Sequence, residues 1–143
     1  MGGPSAEHKV SLSTGEMVFK FLDREKYDPK KIIVSKSGKW PISFQELKNN
    51  FDIVFNAMHG EYGEDGALQK VLEKLKIPYT GADSKTSKIG INKIACHKLF
   101  KKNGLYSPSY TASLNPEKIK KMGLPLVVKP IDRGSSVGIS IIS

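Results

Sequence analysis

Asp52-Ile53-Val54-Phe55-Asn56-Ala57-Met58-His59-Gly60-Glu61-Tyr62-Gly63-Glu64-Asp65-Gly66-Ala67-Leu68-Gln69 passes from an apolar run, through a glycine-rich polar loop, into a helix signal. Residues 52–58 read as a strand apolar on both faces, the pattern of a central strand in a parallel sheet. Gly60, Gly63 and Gly66 permit tight backbone turns and close approach of a ligand. Glu64 and Asp65 stand where negative charge favours the start of a helix. Behind them Leu68, Val71, Leu72 and Leu75 recur at helical spacing until Pro78. Strand, loop and helix in alternation specify an α/β layer architecture.

Working outward, Ser13 reads as the N-cap of a helix running to about Tyr27, with Met17, Val18, Phe21 and Leu22 on one side. Residues 31–35 read as a short buried strand, 36–39 as a turn, and Ser43 as the cap of a short helix ending near Asn49-Asn50. On the other side, residues 86–103 are mostly helical with a break near Gly90, and Gly104 suits the C-cap. A short helix begins at Pro116, a strand covers 124–130, a small-residue loop 133–138, and a second strand 139–142. The change of pattern divides the chain into two domains, 1–90 and 91–143. Both ends read as unfinished. Only Met1 precedes the Gly2-Gly3 turn, and Ile141 and Ile142 open a strand with nothing further to pack on.

The 143 residues carry a net charge of +9, which raises the question of a polyanionic partner. The lysines come in pairs along the chain, only Arg24 and Arg133 are arginines, and aromatic residues are not interleaved with them. Base readout and base stacking ask for the opposite on both counts, so the expectation is no nucleic acid. No stretch of roughly 18 apolar residues and no leader-like start is present, so no membrane span or signal peptide is expected. Cys96 is the single cysteine and reads as a plain helical residue, which with no export signal fits a reducing cytoplasm.

Three stretches carry candidate chemistry. In 59–69 the functional reading competes with a plain strand-to-helix loop, and His59 alone reads more readily as structural. In Lys129-Pro130-Ile131-Asp132-Arg133-Gly134-Ser135-Ser136-Val137-Gly138, backbone N–H groups of a small-residue turn and an adjacent lysine suit a phosphate. No Walker A pattern is present, so the loop would be a flap joining two strands, and its bland counterpart is an ordinary hairpin turn. Lys129 favours the flap, because a charge within an apolar strand is costly without a partner. Lys93, at a helix start, reads by itself as a surface lysine. In 2–11, Glu7 places a carboxylate in a glycine-led turn before a helix, suited to an amino-acid ammonium or simply to the helix end.

Taken together and in this order, Gly2-Gly3-x-Ser5-Ala6-Glu7-His8, His59-Gly60-x-x-Gly63-Glu64-Asp65-Gly66, Ile77-Pro78-Tyr79-Thr80-Gly81, Lys93 and Lys129-Pro130 through Gly138 resemble the D-alanine–D-alanine ligases of the ATP-grasp superfamily. The resemblance runs from Gly2 to Ser143, and its second marker is the most specific. It implies an N-terminal parallel-sheet domain (Rossmann-like, preATP-grasp) over 1–90 and the start of an ATP-grasp α+β domain over 91–143, truncated at both ends. It implies ATP-dependent joining of two D-alanines through an acyl phosphate, for peptidoglycan precursor synthesis and hence cell-wall biogenesis and cell shape. Glu7 then matches the residue holding the ammonium of the first D-alanine, Val10 lines that pocket, and His59 lies beside the substrate carboxylate. Ser135 matches the serine linked to that glutamate through a tyrosine on a later loop, and Glu7 and Ser135 are the catalytic candidates. Lys93, Lys129 and the loop residues Gly134, Ser135, Ser136, Val137 and Gly138 match the ATP-phosphate site. Mg²⁺ is implied as well, with its ligands expected in a C-terminal part beyond Ser143 and none in this chain, and so is a cytoplasmic homodimer of the full-length enzyme. Lys9, Lys70, Lys88 and Asn92 depart from the usual pattern, and Lys70 and Lys88 are expected to crowd packing. Two other readings stand beside this one: a non-catalytic fragment or anion-binding module, and a ligase joining D-alanine to D-lactate or D-serine.

Overall fold

The computed structural model describes residues 1–134 and 136–143, and it divides into two compact units, Met1–Lys88 and Ile89–Ser143. Six helices are described: α1 His8–Phe21, α2 Phe44–Asn50, α3 Ala67–Leu75, α4 Ser84–Ile91, α5 Lys93–Lys102 and α6 Pro116–Lys120. Two strands, β1 Leu126–Val128 and β2 Ser140–Ile142, accompany them.

In Met1–Lys88 each segment expected as a strand pairs in parallel at one bridge with a segment that was not, Val34 with Gly2 and Val54 with Tyr79. Around the first, the Met1 amine donates to the Ile32 carbonyl, Val34 N–H to Met1 and Gly3 N–H to Val34. Around the second, Val54 N–H donates to Pro78 and Thr80 N–H to Val54. Side chains take over where a longer ladder was expected. Ser11 Oγ accepts the Gly2 N–H at 2.7 Å and donates to the Ala57 carbonyl at 2.8 Å. Asn56 N–H goes to Thr80 Oγ1, and Met58 N–H to the Asn56 side chain. The backbone groups are thus satisfied without a continuous sheet. Nor is 52–58 apolar-buried on both faces: Ile53 and Phe55 are exposed, while Ala57 and Met58 are buried.

α1 differs from expectation at both ends. Ser11, read from sequence as lying ahead of the helix, is inside it, because its hydroxyl has the tertiary partners just named. The helix therefore opens at His8 behind Glu7. It stops at Phe21 because Asp23 takes the Glu25 N–H on its side chain, a local turn that competes with helix. α2 follows the reading closely: Ser43 Oγ accepts the Glu46 N–H and Glu46 returns a bond to the Ser43 N–H, a complete capping box. α3 starts where Asp65 accepts the N–H groups of Tyr62 and Ala67, both at 2.9 Å. Val34, Leu47, Met58, Leu68, Leu72 and Ile77 form the core beneath these elements. A fully buried leucine such as Leu72 stabilises the fold by about 1.5–3 kcal/mol relative to exposure.

In Ile89–Ser143 the helical break falls at Asn92 rather than at Gly90, because Asn92 Oδ1 accepts the Ala95 N–H at 2.9 Å and caps α5. Asn103 closes α5, and Gly104 follows with φ +69. His97 and Ser107 are hydrogen-bonded, and the His97 ring stacks on Tyr110 with centroids 4.3 Å apart. β1 and β2 pair antiparallel, Leu126 opposite Ile142 and Val128 opposite Ser140. β1 is shorter than the expected 124–130. Pro125 and Pro130, which bracket it, have no N–H to contribute to a ladder. Cys96 donates its thiol to the carbonyls of Ile89 and Gly90. Among the described residues no helix is long and apolar enough to cross a membrane.

Candidate functional site

Each unit carries its own group of candidate residues. In Met1–Lys88 the group is built around the turn before α1 and the loop before α3. Glu7 sits at the N-terminal end of α1, its backbone N–H on Ser5 Oγ at 3.0 Å. Its side chain is buried, with the residue only 6% exposed. A carboxylate in such a place needs a cationic or hydrogen-bonding partner. Gly60 presses against it: a Cβ at Gly60 would lie 2.5 Å from Ser5 Oγ and 2.9 Å from Glu7 Oε1. With φ +68 besides, no other residue fits that position without displacing the carboxylate.

His59, next in the chain, is held from two sides. Its Nε2 is 2.8 Å from Thr14 Oγ1 on α1, and its Nδ1 is 3.5 Å from Glu64 Oε1. The other oxygen of Glu64 accepts the Gly60 N–H at 2.8 Å. Glu64 and Asp65 therefore separate in role. Asp65 serves the helix end as the sequence suggests, whereas Glu64 turns back into the loop. Gly63 contributes its carbonyl to both Asn56 Nδ2 and Gln69 Nε2, which fixes the far side of the loop. His8 lies on the Gly3 carbonyl through Nδ1. Val10, expected to line the same pocket, is on α1 and half exposed.

The structure thus brings Glu7, Gly60, Glu64, His59 and Thr14 together. Ser11 and Thr14 were not singled out from sequence, and Ser5 only as part of the first marker. The available signal was the repeat of hydroxyl residues at Ser11 and Thr14, one helical turn apart and so on one face of α1.

A separate network sits at Glu73 of α3. Its carboxylate accepts the Ser84 hydroxyl and N–H and the Tyr79 hydroxyl, all at 2.7–2.8 Å. These bonds, from Ser84 first, hold the Glu73 carboxyl below its ordinary range. Burial together with the Glu73 bond pushes the Tyr79 phenol up to about 12.

In Ile89–Ser143 the candidates gather on the start of α5 and the β1–β2 connection. Lys93 N–H donates to the Ile131 carbonyl at 3.0 Å, and its Nζ donates to the Arg133 carbonyl at 2.6 Å. Lys93 is therefore brought onto the loop. Lys129 follows directly on β1 and is exposed, so the desolvation cost that sequence attached to it does not arise. In the turn, Ser136 and Gly138 have φ +62 and +73, and Val137 N–H donates to the Gly134 carbonyl at 3.0 Å. A Cβ at Gly138 would stand 2.9 Å from Pro130 Cγ, so this turn is closed tightly on its own strand end. Ser135 lies outside the described residues. The departures from pattern are harmless here. Lys9, Lys70 and Lys88 are exposed, correcting the expected crowding, and Asn92 caps α5 in place of aspartate.

Nine basic and two acidic residues lie in Ile89–Ser143, against fourteen and twelve in Met1–Lys88, a net +7 beside a net +2. Lysines, a small-residue turn and that excess of positive charge fit a polyphosphate. Among the described residues no group of three His, Cys, Asp or Glu side chains is placed to hold a metal ion.

The D-ala D-ala ligase N-terminus family matches residues 1–50 and 41–82. A D-alanine–D-alanine ligase of Desulforamulus reducens is 39% identical, covering 99% of this chain and 48% of its own length. The crystal structure of the Bacillus anthracis D-alanine–D-alanine ligase superposes with a TM-score of 0.80 at 36% identity, covering 99% of this chain and 47% of that one. The structure of the Bacillus anthracis ligase complexed with ATP gives 0.78 at 33%, covering 99% and 48%. The chain spans about half the length of the curated relatives it matches.

Proposed function

The chain belongs to the D-ala D-ala ligase N-terminus family, and on that premise we propose that it serves the ATP-dependent joining of two D-alanines for peptidoglycan precursors, in the cytoplasm. Residues 1–90 are the Rossmann-like domain for the first substrate, and residues 91–143 are the opening of an ATP-grasp domain. The observation that carries the reading is the buried Glu7 carboxylate pressed against Gly60, beside His59. Glu7 binds the ammonium of the first D-alanine, Val10 borders it, and His59 faces its carboxylate. Phosphoryl transfer asks mainly for positioning and charge neutralisation. Lys93, Lys129 and residues 134–138 supply these for the ATP phosphates. Lys93 holds the turn carbonyls and so sets the loop's closure, while Lys129 offers an exposed ammonium. No step is assigned to Mg²⁺.

The test is to capture the protein that carries this sequence from its own cell, weigh it, and assay D-alanyl-D-alanine and ADP formation from D-alanine and ATP. Dipeptide formation is expected, with Glu7→Gln raising the D-alanine KM about tenfold or more and leaving the ATP KM nearly unchanged. No dipeptide, or equal loss toward both substrates, overturns the reading.

A further inference from the structure

We infer that Glu64 and Thr14 are positioning residues that set the tautomer and ring plane of His59. The inference starts from three observations: Thr14 Oγ1 is 2.8 Å from Nε2, Glu64 Oε1 is 3.5 Å from Nδ1, and Glu64 Oε2 holds the Gly60 N–H at 2.8 Å. Glu64 Oε1 stands 3.5 Å from Nδ1, a charge contact rather than a hydrogen bond, and its negative charge favours the proton on the ring nitrogen that faces it. In the neutral ring Nε2 is then the acceptor, and the Thr14 hydroxyl donates to it. A free imidazole is under no such constraint. Here the choice is imposed by one group on α1 and one on the loop before α3. Both anchors are themselves fixed. Thr14 is one turn beyond Ser11, whose hydroxyl is tied to Gly2 and Ala57. Glu64 is tied to Gly60, the residue that also closes on Glu7. The same carboxylate therefore places the histidine and the glycine wall of the Glu7 site. This logic is shared with histidines whose second nitrogen is oriented by a carboxylate.

The bland alternative is that Glu64 merely closes the loop through Gly60. Ring tautomer separates the two, because loop closure leaves it free. The proposal rests on the ligase reading only for what His59 faces, and the test keeps these apart. The imidazole nitrogens of His59 would be read by ¹⁵N–¹H correlation in the 143-residue chain, wild type, Thr14→Val, Thr14→Ser and Glu64→Gln, with the amide spectrum as the control for folding. Expected is a protonated Nδ1 and bare Nε2 in wild type. Thr14→Val and Glu64→Gln should give mixed tautomers, and Thr14→Ser should restore the wild-type pattern. In the protein from its own cell, Thr14→Val should raise the D-alanine KM about three- to tenfold with the ATP KM unchanged. A wild-type ring protonated on Nε2, or a tautomer ratio indifferent to both substitutions, overturns the proposal. A fixed tautomer with no response to D-alanine upholds the positioning and removes the role of His59 in the ligase reading.

Discussion

The two units hold their candidate residues differently. In Met1–Lys88, Glu7, Gly60 and His59 are held by side chains that also bridge backbone segments and rest on a buried apolar core. Among the described residues, none of the buried apolar ones lies in Ile89–Ser143. Leu99, Leu114, Val127, Val128, Ile141 and Ile142 are all exposed. There the turn is held by Lys93, by its own backbone bonds and by the close fit of Gly138. A site needing a fixed carboxylate is built where packing is dense. The basic turn lies where, among the described residues, apolar side chains are exposed and positive charge is abundant.

The largest effect that tests this contrast is on stability. Leu72→Ala, at a fully buried position, should cost about 2–5 kcal/mol in denaturant unfolding, while Ile141→Ala, at 71% exposure, should stay within about 0.5 kcal/mol. Equal costs would break the comparison. Next is Gly60→Ala, which must shift Ser5 or Glu7 and adopt a left-handed backbone at a strain of about 1–2 kcal/mol. Loss of D-alanine response is expected with α2 and α3 still formed by amide exchange, and retained response would detach Gly60 from the Glu7 site.

The smallest effect is on pH dependence and sharpens the picture within the first unit. The Glu73 carboxyl is lowered by its bonds from Ser84 and Tyr79, so its contribution is present above the ordinary glutamate pKa and is lost as acid protonates it in the folded state. The Tyr79 phenol is raised to about 12, so its neutral form is favoured by folding. That contribution is complete below the ordinary tyrosine value near 10 and disappears between there and about 12. Ultraviolet titration should find one tyrosine ionising late, returning toward the ordinary value in Glu73→Gln. An unchanged titration would remove the Glu73 bond as a cause.

Much of the architecture was legible because it rests on local chemistry. The capping box of Ser43 and Glu46 and the amphipathic α3 need only near neighbours. The β1–β2 hairpin was visible for the same reason, as two apolar runs around small residues. The extent of the strand at 52–58 and the start of α1 both differ from the reading. Both depend on Ser11, whose partners at Gly2 and Ala57 are 9 and 46 residues away. The same applies to His59, where the motif was visible and its partner Thr14, 45 residues distant, was not.

By itself, then, the amino-acid order determined the α/β class, the family markers, the helix caps and the small-residue turns, since propensity, capping and glycine conformations act over a few residues. Tertiary structure alone decided that Glu7 is buried against Gly60, that Glu64 serves the loop while Asp65 serves the helix, and that Lys129 is exposed. Burial and hydrogen-bond partners at long separation are properties of the packed chain, and no local pattern encodes which distant group will arrive.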